Sequence, residues 1–242
     1  MNIALVGYGK MGKAIEKIAV ERGHYITLKI ATGNKEDMTE TQLKMADVVI
    51  EFTGPESARD NVAKCLRAGV PVVSGSTGWN EHLSEAKNNA LENKTAFLHS
   101  SNFSVGVNIF FEVNTLLARL MNQQQDYNVS IAETHHTEKK DAPSGTAITL
   151  AEQILDRVDR LKHWTIDPDK KDEQDLLPIK AYREEQVPGT HHVRYTSPID
   201  EIEIIHTAHS REGFAKGAVL AAEFLAGKRG IYTMKDVLGI RP

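Results

Sequence analysis

Asn2-Ile-Ala-Leu-Val-Gly-Tyr-Gly-Lys-Met-Gly12 is the stretch on which the fold turns. Ile3 to Val6 is an unbroken apolar run, as expected of a strand buried on both faces. Gly7-x-Gly9-x-x-Gly12 follows at once, and Met11, Ile15, Ile18 and Ala19 then recur at helical spacing. Strand, glycine triplet and helix in this order are a dinucleotide fingerprint: the first glycine allows the tight turn, the second lets backbone approach a pyrophosphate, and the third lets helix pack on strand. A merely structural turn is the bland alternative, and the placement between strand and helix favours the fingerprint over it.

Outward from this motif, strands are expected at Tyr25 to Ile30, Asp47 to Phe52, Val70 to Ser74 and Thr95 to Leu98, with helices near Glu56 to Ala68 and Asn80 to Glu92. That alternation predicts a parallel sheet covered by helices. Small and hydroxyl residues follow the strand ends in Phe52-Thr-Gly-Pro55, Gly75-Ser-Thr-Gly78 and Ser100-Ser-Asn-Phe103. Such loops on the carboxyl edge of one sheet favour a cofactor site. After the second strand an NADH-binding fold usually carries an acid for the ribose hydroxyl, but this chain has Ala31-Thr-Gly-Asn-Lys35. NADPH is therefore permitted, with Lys29 or Lys35 as the candidate attraction for its phosphate.

A second domain is expected beyond Phe103-Ser-Val-Gly-Val-Asn108, a crossover before a helix with Ile109, Val113, Leu116, Leu117 and Leu120 in its stripe. It holds Glu133-Thr-His-His-Thr-Glu-Lys-Lys-Asp-Ala-Pro-Ser-Gly-Thr-Ala147, where acid/base groups, cations and a helix start are crowded together. Alternation before it predicts a strand presenting Glu133 and His135 on one face. Pro143 and Ser144 read as a helix start, so the first-turn N–H groups of Gly145 and Thr146 would face an anion. Further strands are expected at Ile179 to Tyr182, His191 to Tyr195 and Glu201 to His209, in a mixed or antiparallel sheet, with an exposed loop from Asp167 to Asp175. The small-residue helix Gly213 to Ala226 would return the chain to the first sheet. The expected architecture is thus α/β: a Rossmann-like dinucleotide-binding domain of residues 1–106 and 211–242, and a smaller α+β substrate-binding and oligomerisation domain of residues 107–210.

A formal charge of −4 with no basic stripe argues against a nucleic-acid partner. Apolar runs are too short to span a bilayer, and no signal peptide is legible. The single cysteine, Cys65, shares an apolar helical face and fits a reducing cytoplasm. No metal site is expected, because His135-His136 and His191-His192 are strand neighbours that point to opposite faces and make poor chelates.

Gly7-Tyr-Gly-Lys-Met-Gly12, Glu51-Phe-Thr53, Gly75-Ser-Thr-Gly78, Asn102-Phe-Ser-Val-Gly-Val-Asn108 and the Glu133 to Ala147 stretch, in this order, resemble the 4-hydroxy-tetrahydrodipicolinate (dihydrodipicolinate) reductase family, over nearly the whole chain. The resemblance implies an oxidoreductase that reduces a cyclic dicarboxylate with NADPH or NADH in the diaminopimelate route of lysine biosynthesis, in the cytoplasm, as a homotetramer. Carried over by residue, it implies His135 as the acid/base histidine and Lys139 as the proton donor. His136, Ser144, Gly145 and Thr146 would contact the substrate carboxylate. The cofactor would lie on Gly7, Tyr8, Gly9, Lys10, Met11 and Gly12, on Gly75, Ser76 and Thr77, and on Ser100, Ser101, Asn102 and Phe103. The chain lacks the family's cofactor acid, and after Thr190 it is shorter than long family members. Another nicotinamide reductase, such as an amino-acid dehydrogenase, or a non-catalytic dinucleotide sensor would explain the glycines and leave the Glu133 to Ala147 stretch a coincidence.

Overall fold

The computed structural model describes residues 1–167, 175–210 and 212–240. The chain divides into two compact units, Met1–Val105 with Glu212–Pro242, and Gly106–Arg211.

In the first unit, β1 (Asn2–Val6), β2 (Tyr25–Ile30), β3 (Val48–Glu51), β4 (Val72–Ser74), β5 (Ala96–His99) and β11 (Gly230–Tyr232) form one six-stranded sheet in the order β11-β5-β4-β3-β1-β2. Every pairing in it is parallel. Ala4, Val6, Val49, Val72 and Phe97 point to one face, where α3 (Pro55–Arg67) and α4 (Leu83–Glu92) cover them. Ile3, Leu5, Val48, Ile50, Val73 and Leu98 point to the other, under α1 (Lys10–Glu21) and α7 (Glu212–Leu225). Burial of alternate residues on both faces is why the strands read as continuous apolar runs. Cys65 lies fully buried on α3, where desolvation pushes its thiol well above the ordinary range. Helix α7 begins one residue before the expected Gly213 and packs Ala215, Ala218, Val219, Ala222 and Leu225 against the sheet, so the chain does return to it. A short helix, α2 (Glu40–Leu43), follows β2 and caps itself with the Thr39 hydroxyl.

In the second unit, β6 (Asn128–His135), β7 (His163–Thr165), β8 (Leu176–Arg183), β9 (Gly189–Thr196) and β10 (Glu201–Ala208) form a mixed sheet in the order β10-β9-β6-β8-β7. β6 and β8 run parallel, whereas β9 is antiparallel to both β6 and β10. Helices α5 (Val105–Met121) and α6 (Gly145–Leu155) close its core around Ile131, Ile179, Val193 and Tyr195. The strand β7 has no counterpart in the sequence reading. Much of the expected Asp167 to Asp175 loop, at 168–174, lies outside the described residues.

Helix α5 differs from expectation in two ways. It starts at Val105, inside the expected crossover, and its buried face is Val107, Phe110, Phe111, Asn114, Ala118 and Met121. Of the expected stripe, Ile109, Val113, Leu116 and Leu120 are 42% to 60% exposed, while Leu117 packs against the core. Both faces are apolar, so periodicity cannot choose between them, and the two phenylalanines bring more area to the core than the aliphatic stripe.

Candidate active site

At the carboxyl ends of β1, β2 and β3, where the strand order reverses, a cavity of about 420 Å³ is lined by Gly9, Ala31, Lys35, Thr53 and Asn61 among others. Such a reversal is where open parallel sheets bind nucleotides. The glycine triplet is shaped for it. A Cβ on Gly7, at φ +101°, would lie 2.0 Å from the Phe52 carbonyl oxygen, and one on Gly12 would lie 2.5 Å from the Gly7 carbonyl oxygen, so neither position admits a side chain. Among the described residues, chain neighbours aside, nothing lies within 4 Å of a Cβ at Gly9, so packing does not explain this glycine. Space left open at the helix start is what a pyrophosphate needs.

The loops beside the cavity are tied to one buried carboxylate. Glu51, at the end of β3, is fully buried and accepts from Ser74 Oγ and Ser76 Oγ at 2.6 Å each, from Thr53 N at 2.8 Å, and from the Thr53 hydroxyl. Ser76 Oγ in turn accepts from Thr53 N, and the Ser76 carbonyl accepts from Trp79 Nε1 at 2.8 Å. The ends of β3 and β4 are thereby fixed through a group that composition and motif spacing did not single out.

Beyond β2, the Ala31 N–H donates to Asn34 Oδ1 at 2.7 Å, closing the turn with a neutral side chain where an acid was sought. Lys29 is held by α1. Its Nζ lies 2.6 Å from Glu16 on α1, which also accepts from the Tyr8 hydroxyl, and the ammonium sits 5.2 Å from the Tyr8 ring centroid. The Lys29 hydrogen bond holds the Glu16 carboxyl below its ordinary range. Of the two lysines considered for a phosphate, only Lys35 lines the cavity.

In the second unit, register builds the cluster. Across the sheet Glu133 on β6 faces His191 on β9, and His191 faces His206 on β10. His135 lies two residues beyond Glu133 on the same face. Glu133 is fully buried, with Oε1 accepting from Ser144 N at 3.0 Å and Oε2 from the Ser144 hydroxyl. His135 Nδ1 stands 3.6 Å and His191 Nε2 3.5 Å from Oε2. Burial favours the neutral acid, yet hydrogen bonds from His191 and Ser144 outweigh it and hold Glu133 below the usual carboxylate range. Burial, reinforced by His191, Lys139 and Arg183, overrides the pull of Glu133 and depresses His135 below its ordinary value. Both shifts run in the direction of a carboxylate beside an unprotonated imidazole.

Ser144 is the N-cap of α6, its Oγ accepting from Ala147 N at 3.2 Å. Gly145 and Thr146 supply N–H groups of the first turn of α6. Between β6 and α6 the loop carries Lys139, whose Nζ donates to both oxygens of Asp141 at 2.8 Å. Arg183 anchors this loop from β8, donating to the Lys139 carbonyl at 3.3 Å and the Asp141 carbonyl at 2.7 Å.

Family profiles match both halves of the chain, dihydrodipicolinate reductase N-terminus over residues 1–103 and dihydrodipicolinate reductase C-terminus over residues 106–238. A 4-hydroxy-tetrahydrodipicolinate reductase from Christiangramia forsetii is 51% identical over 239 residues, covering 98% of both chains. One from Neisseria meningitidis serogroup B is 34% identical over 93% of this chain and 84% of its own. The chain belongs to the dihydrodipicolinate reductase family. The same fold is seen in a dipicolinate-bound dihydrodipicolinate reductase from Paenisporosarcina sp. TG-14, with TM-score 0.79 and 21% identity, covering 96% of this chain and 97% of that one.

Against this family background, the sequence-derived residues fall into place unevenly. His135 and Ser144 sit in one buried cluster with Glu133, while Lys139 lies in the loop above and Gly145 and Thr146 start α6. His136 follows β6, its carbonyl accepting from Lys139 N at 3.1 Å. Tyr8, Lys10 and Met11 ring the glycine turn, with Lys10 exposed. Two expected contacts have their side chains engaged elsewhere: Ser76 gives its proton to Glu51, and Ser144 gives its proton to Glu133. Ser100 Oγ donates to the Asn102 carbonyl, Thr77 and Ser101 are exposed, and the Phe103 ring belongs to the core against Phe52. Gly75 is needed by that core as well, since a Cβ there would meet the Phe52 ring at 2.2 Å. Arg183 is absent from the sequence reading, Glu51 stands there only inside the Glu51-Phe-Thr53 motif without a role, and His191 only as a strand residue beside His192. β9's alternation turns His191 inward and His192 outward, and register across strands brings His191 to Glu133, so the opposition of neighbours within each His-His pair does not keep the two inward histidines apart.

Proposed function

We propose that this family member reduces 4-hydroxy-tetrahydrodipicolinate to tetrahydrodipicolinate with loss of water, in the diaminopimelate route to lysine, and uses NADPH at least as well as NADH. The observation that carries this reading is the Glu133, His135 and Ser144 cluster beneath the Lys139 loop and the α6 start, in a chain that matches the family along nearly all its length. A cyclic dicarboxylate is supported by the ligand bound to the related Paenisporosarcina reductase.

When bound on the first unit, the nicotinamide supplies the hydride. The chain's own residues manage charge and protons. The N–H groups of Gly145 and Thr146, with the helix dipole behind them and His136 nearby in sequence, receive a substrate carboxylate. Ser144 serves them indirectly, capping the helix and fixing Glu133. Lys139, hydrogen-bonded to Asp141, donates the proton that the reduced ring takes up, and the buried His135 exchanges protons beside it. A positioned donor of this kind is worth about 10²- to 10⁴-fold in rate. The second unit also carries the subunit contacts of a cytoplasmic homotetramer, a reading favoured by its exposed apolar residues on α5 and β10.

The decisive experiment follows reduced-cofactor absorbance on mixing the protein with NADPH and freshly made 4-hydroxy-tetrahydrodipicolinate. Oxidation that requires this substrate, and that falls at least about 100-fold in folded His135→Ala and Lys139→Ala variants, is the expected result. Cofactor oxidation without it, or none at all, would overturn the reading in favour of another reductase or a dinucleotide sensor.

A further inference from the structure

Glu133, His135 and His191 offer one carboxylate oxygen and two imidazole nitrogens whose ligand atoms all lie within 4.8 Å of one another. Two of these separations, 3.6 Å from Oε2 to His135 Nδ1 and 3.5 Å from Oε2 to His191 Nε2, are close to the spacing of about 3.4 Å that tetrahedral ligands adopt around a zinc ion at about 2.1 Å. Two histidines and a glutamate are also a set that such cations select.

A second observation is independent of the grouping. His135 is only 7% exposed, and its Nδ1, aimed at Glu133 Oε2, is buried without a hydrogen-bond partner. Buried ring nitrogens are ordinarily satisfied. The ligands are also rigidly mounted: Glu133 and His191 are cross-strand partners, Ser144 fixes both oxygens of the carboxylate, and Gly189 backs the far side of the His135 ring. Arg183 Nη1, 4.0 Å from Glu133 Oε1, and Lys139 in the loop above oppose added positive charge. Arg183 donates to the loop carbonyls through Nε and Nη2 and to the Tyr182 carbonyl through Nη1, and Lys139 donates to Asp141, which weakens the opposition without removing it.

We infer that Glu133, His135 and His191 bind one divalent cation of the zinc class, and that the bound cation inhibits the enzyme. The inhibitory half rests on the proposed reduction; the cation site stands on its own geometry. An ion on His135 Nδ1 would occupy the nitrogen lone pair facing Glu133 and fix the imidazole in one tautomer, withdrawing it from proton exchange.

The test uses the full chain freed of metal with a chelator. Zn²⁺ is titrated in competition with a chromophoric chelator, Co²⁺ is added separately to read visible absorption, and X-ray absorption of the zinc-loaded wild type counts its imidazole neighbours. Saturation at one zinc per chain, four-coordinate cobalt bands, two imidazoles, and affinity at least 10-fold weaker in folded His191→Asn and Glu133→Gln are expected. Turnover should fall along the same saturation curve and return with EDTA. No saturable binding, a first shell without two imidazoles, or equal affinity in both folded variants would overturn the site. Full turnover at saturating zinc would overturn the inhibition. If the protein proved to have no reductase activity, the functional reading would fail while the wild-type titration and absorption spectra still decided the site.

Discussion

Gly189 stands directly behind His135: a Cβ at position 189 would lie 3.0 Å from His135 Nε2 and 3.2 Å from Cδ2. That contact is tighter than side chains ordinarily accept, so Gly189→Ala should push the imidazole aside by a few tenths of an ångström. Since misplacement of a reacting group by about 1 Å can cost about 10²-fold, the expected loss of turnover is roughly 3- to 20-fold, with little change in substrate KM. Steady-state kinetics and circular dichroism check it. Unchanged turnover in a folded variant would mean that His135 has slack or no part in the chemistry.

Glu51 provides a comparable test in the first unit. Its two oxygens accept from three hydroxyls and a backbone N–H, so Glu51→Gln replaces an acceptor by an NH₂ donor that faces hydroxyls already oriented as donors. Losing charge-assisted bonds at a fully buried site is expected to cost about 1 to 3 kcal/mol of unfolding free energy. Cofactor affinity should fall as well, because Thr53 and the loop after β4 lose their common anchor. Urea unfolding and cofactor titration give the two numbers, and a variant as stable as the parent would show that the hydroxyls can turn round without penalty.

What the sequence could reveal follows from how local each signal is. The sheet of the first unit was legible because Gly7, Gly9 and Gly12 are bound to a strand and a helix by adjacency alone. The His135 face was legible for the same reason, since strand alternation is a two-residue rule. His191 joins Glu133 only through the β6 to β9 register, and Ser74 joins Glu51 only through the β3 to β4 register, so no local pattern announces either. Helix α5 shows the converse failure: its spacing was plain, but two apolar faces competed and only packing selected the one with Phe110 and Phe111.

Histidine 99 makes stability depend on pH in a defined direction. It lies at the end of β5, with Nε2 3.0 Å from the Ser76 carbonyl and its ring 5.7 Å from Trp79. Burial lowers its pKa, helped slightly by Lys87 and resisted by Ser76 and Glu51. A histidine depressed in the folded state binds fewer protons than in the unfolded chain, where its value is about 6.5. Its contribution is therefore present above about pH 6.5 and is lost as pH falls below that toward the depressed folded value. His99→Gln retains a donor for Ser76 but cannot titrate. Unfolding free energies at pH 8 and pH 5 should fall more for the parent than for this variant, and the other depressed histidines, His135 and His206, cancel in the comparison. Parallel losses would show that the His99 ring stays neutral without effort.

Cofactor choice turns on Lys35, now that Lys29 is committed to Glu16. An exposed lysine on the cavity wall attracts a ribose 2′-phosphate but gains nothing from a 2′-hydroxyl, whereas Lys29 already has its carboxylate at 2.6 Å. Lys35→Ala should therefore lower kcat/KM for NADPH about 3- to 10-fold and leave NADH nearly unchanged, with Lys29→Ala having the smaller effect on the ratio. Ala31→Asp attacks the same preference from the other side. Its carboxylate would stand next to the turn that Asn34 closes, repel the phosphate, and shift the ratio of efficiencies toward NADH by roughly 1 to 3 kcal/mol if it reaches the ribose. Raising salt should cost NADPH more than NADH in the parent protein, because attraction between exposed charges is screened beyond about 8 to 10 Å at ordinary ionic strength. In Lys35→Ala that difference should shrink. A parent that strongly prefers NADH at every salt concentration, and a Lys35→Ala variant with the same ratio, would place discrimination in the neutral Ala31 to Asn34 turn and leave the lysine a bystander.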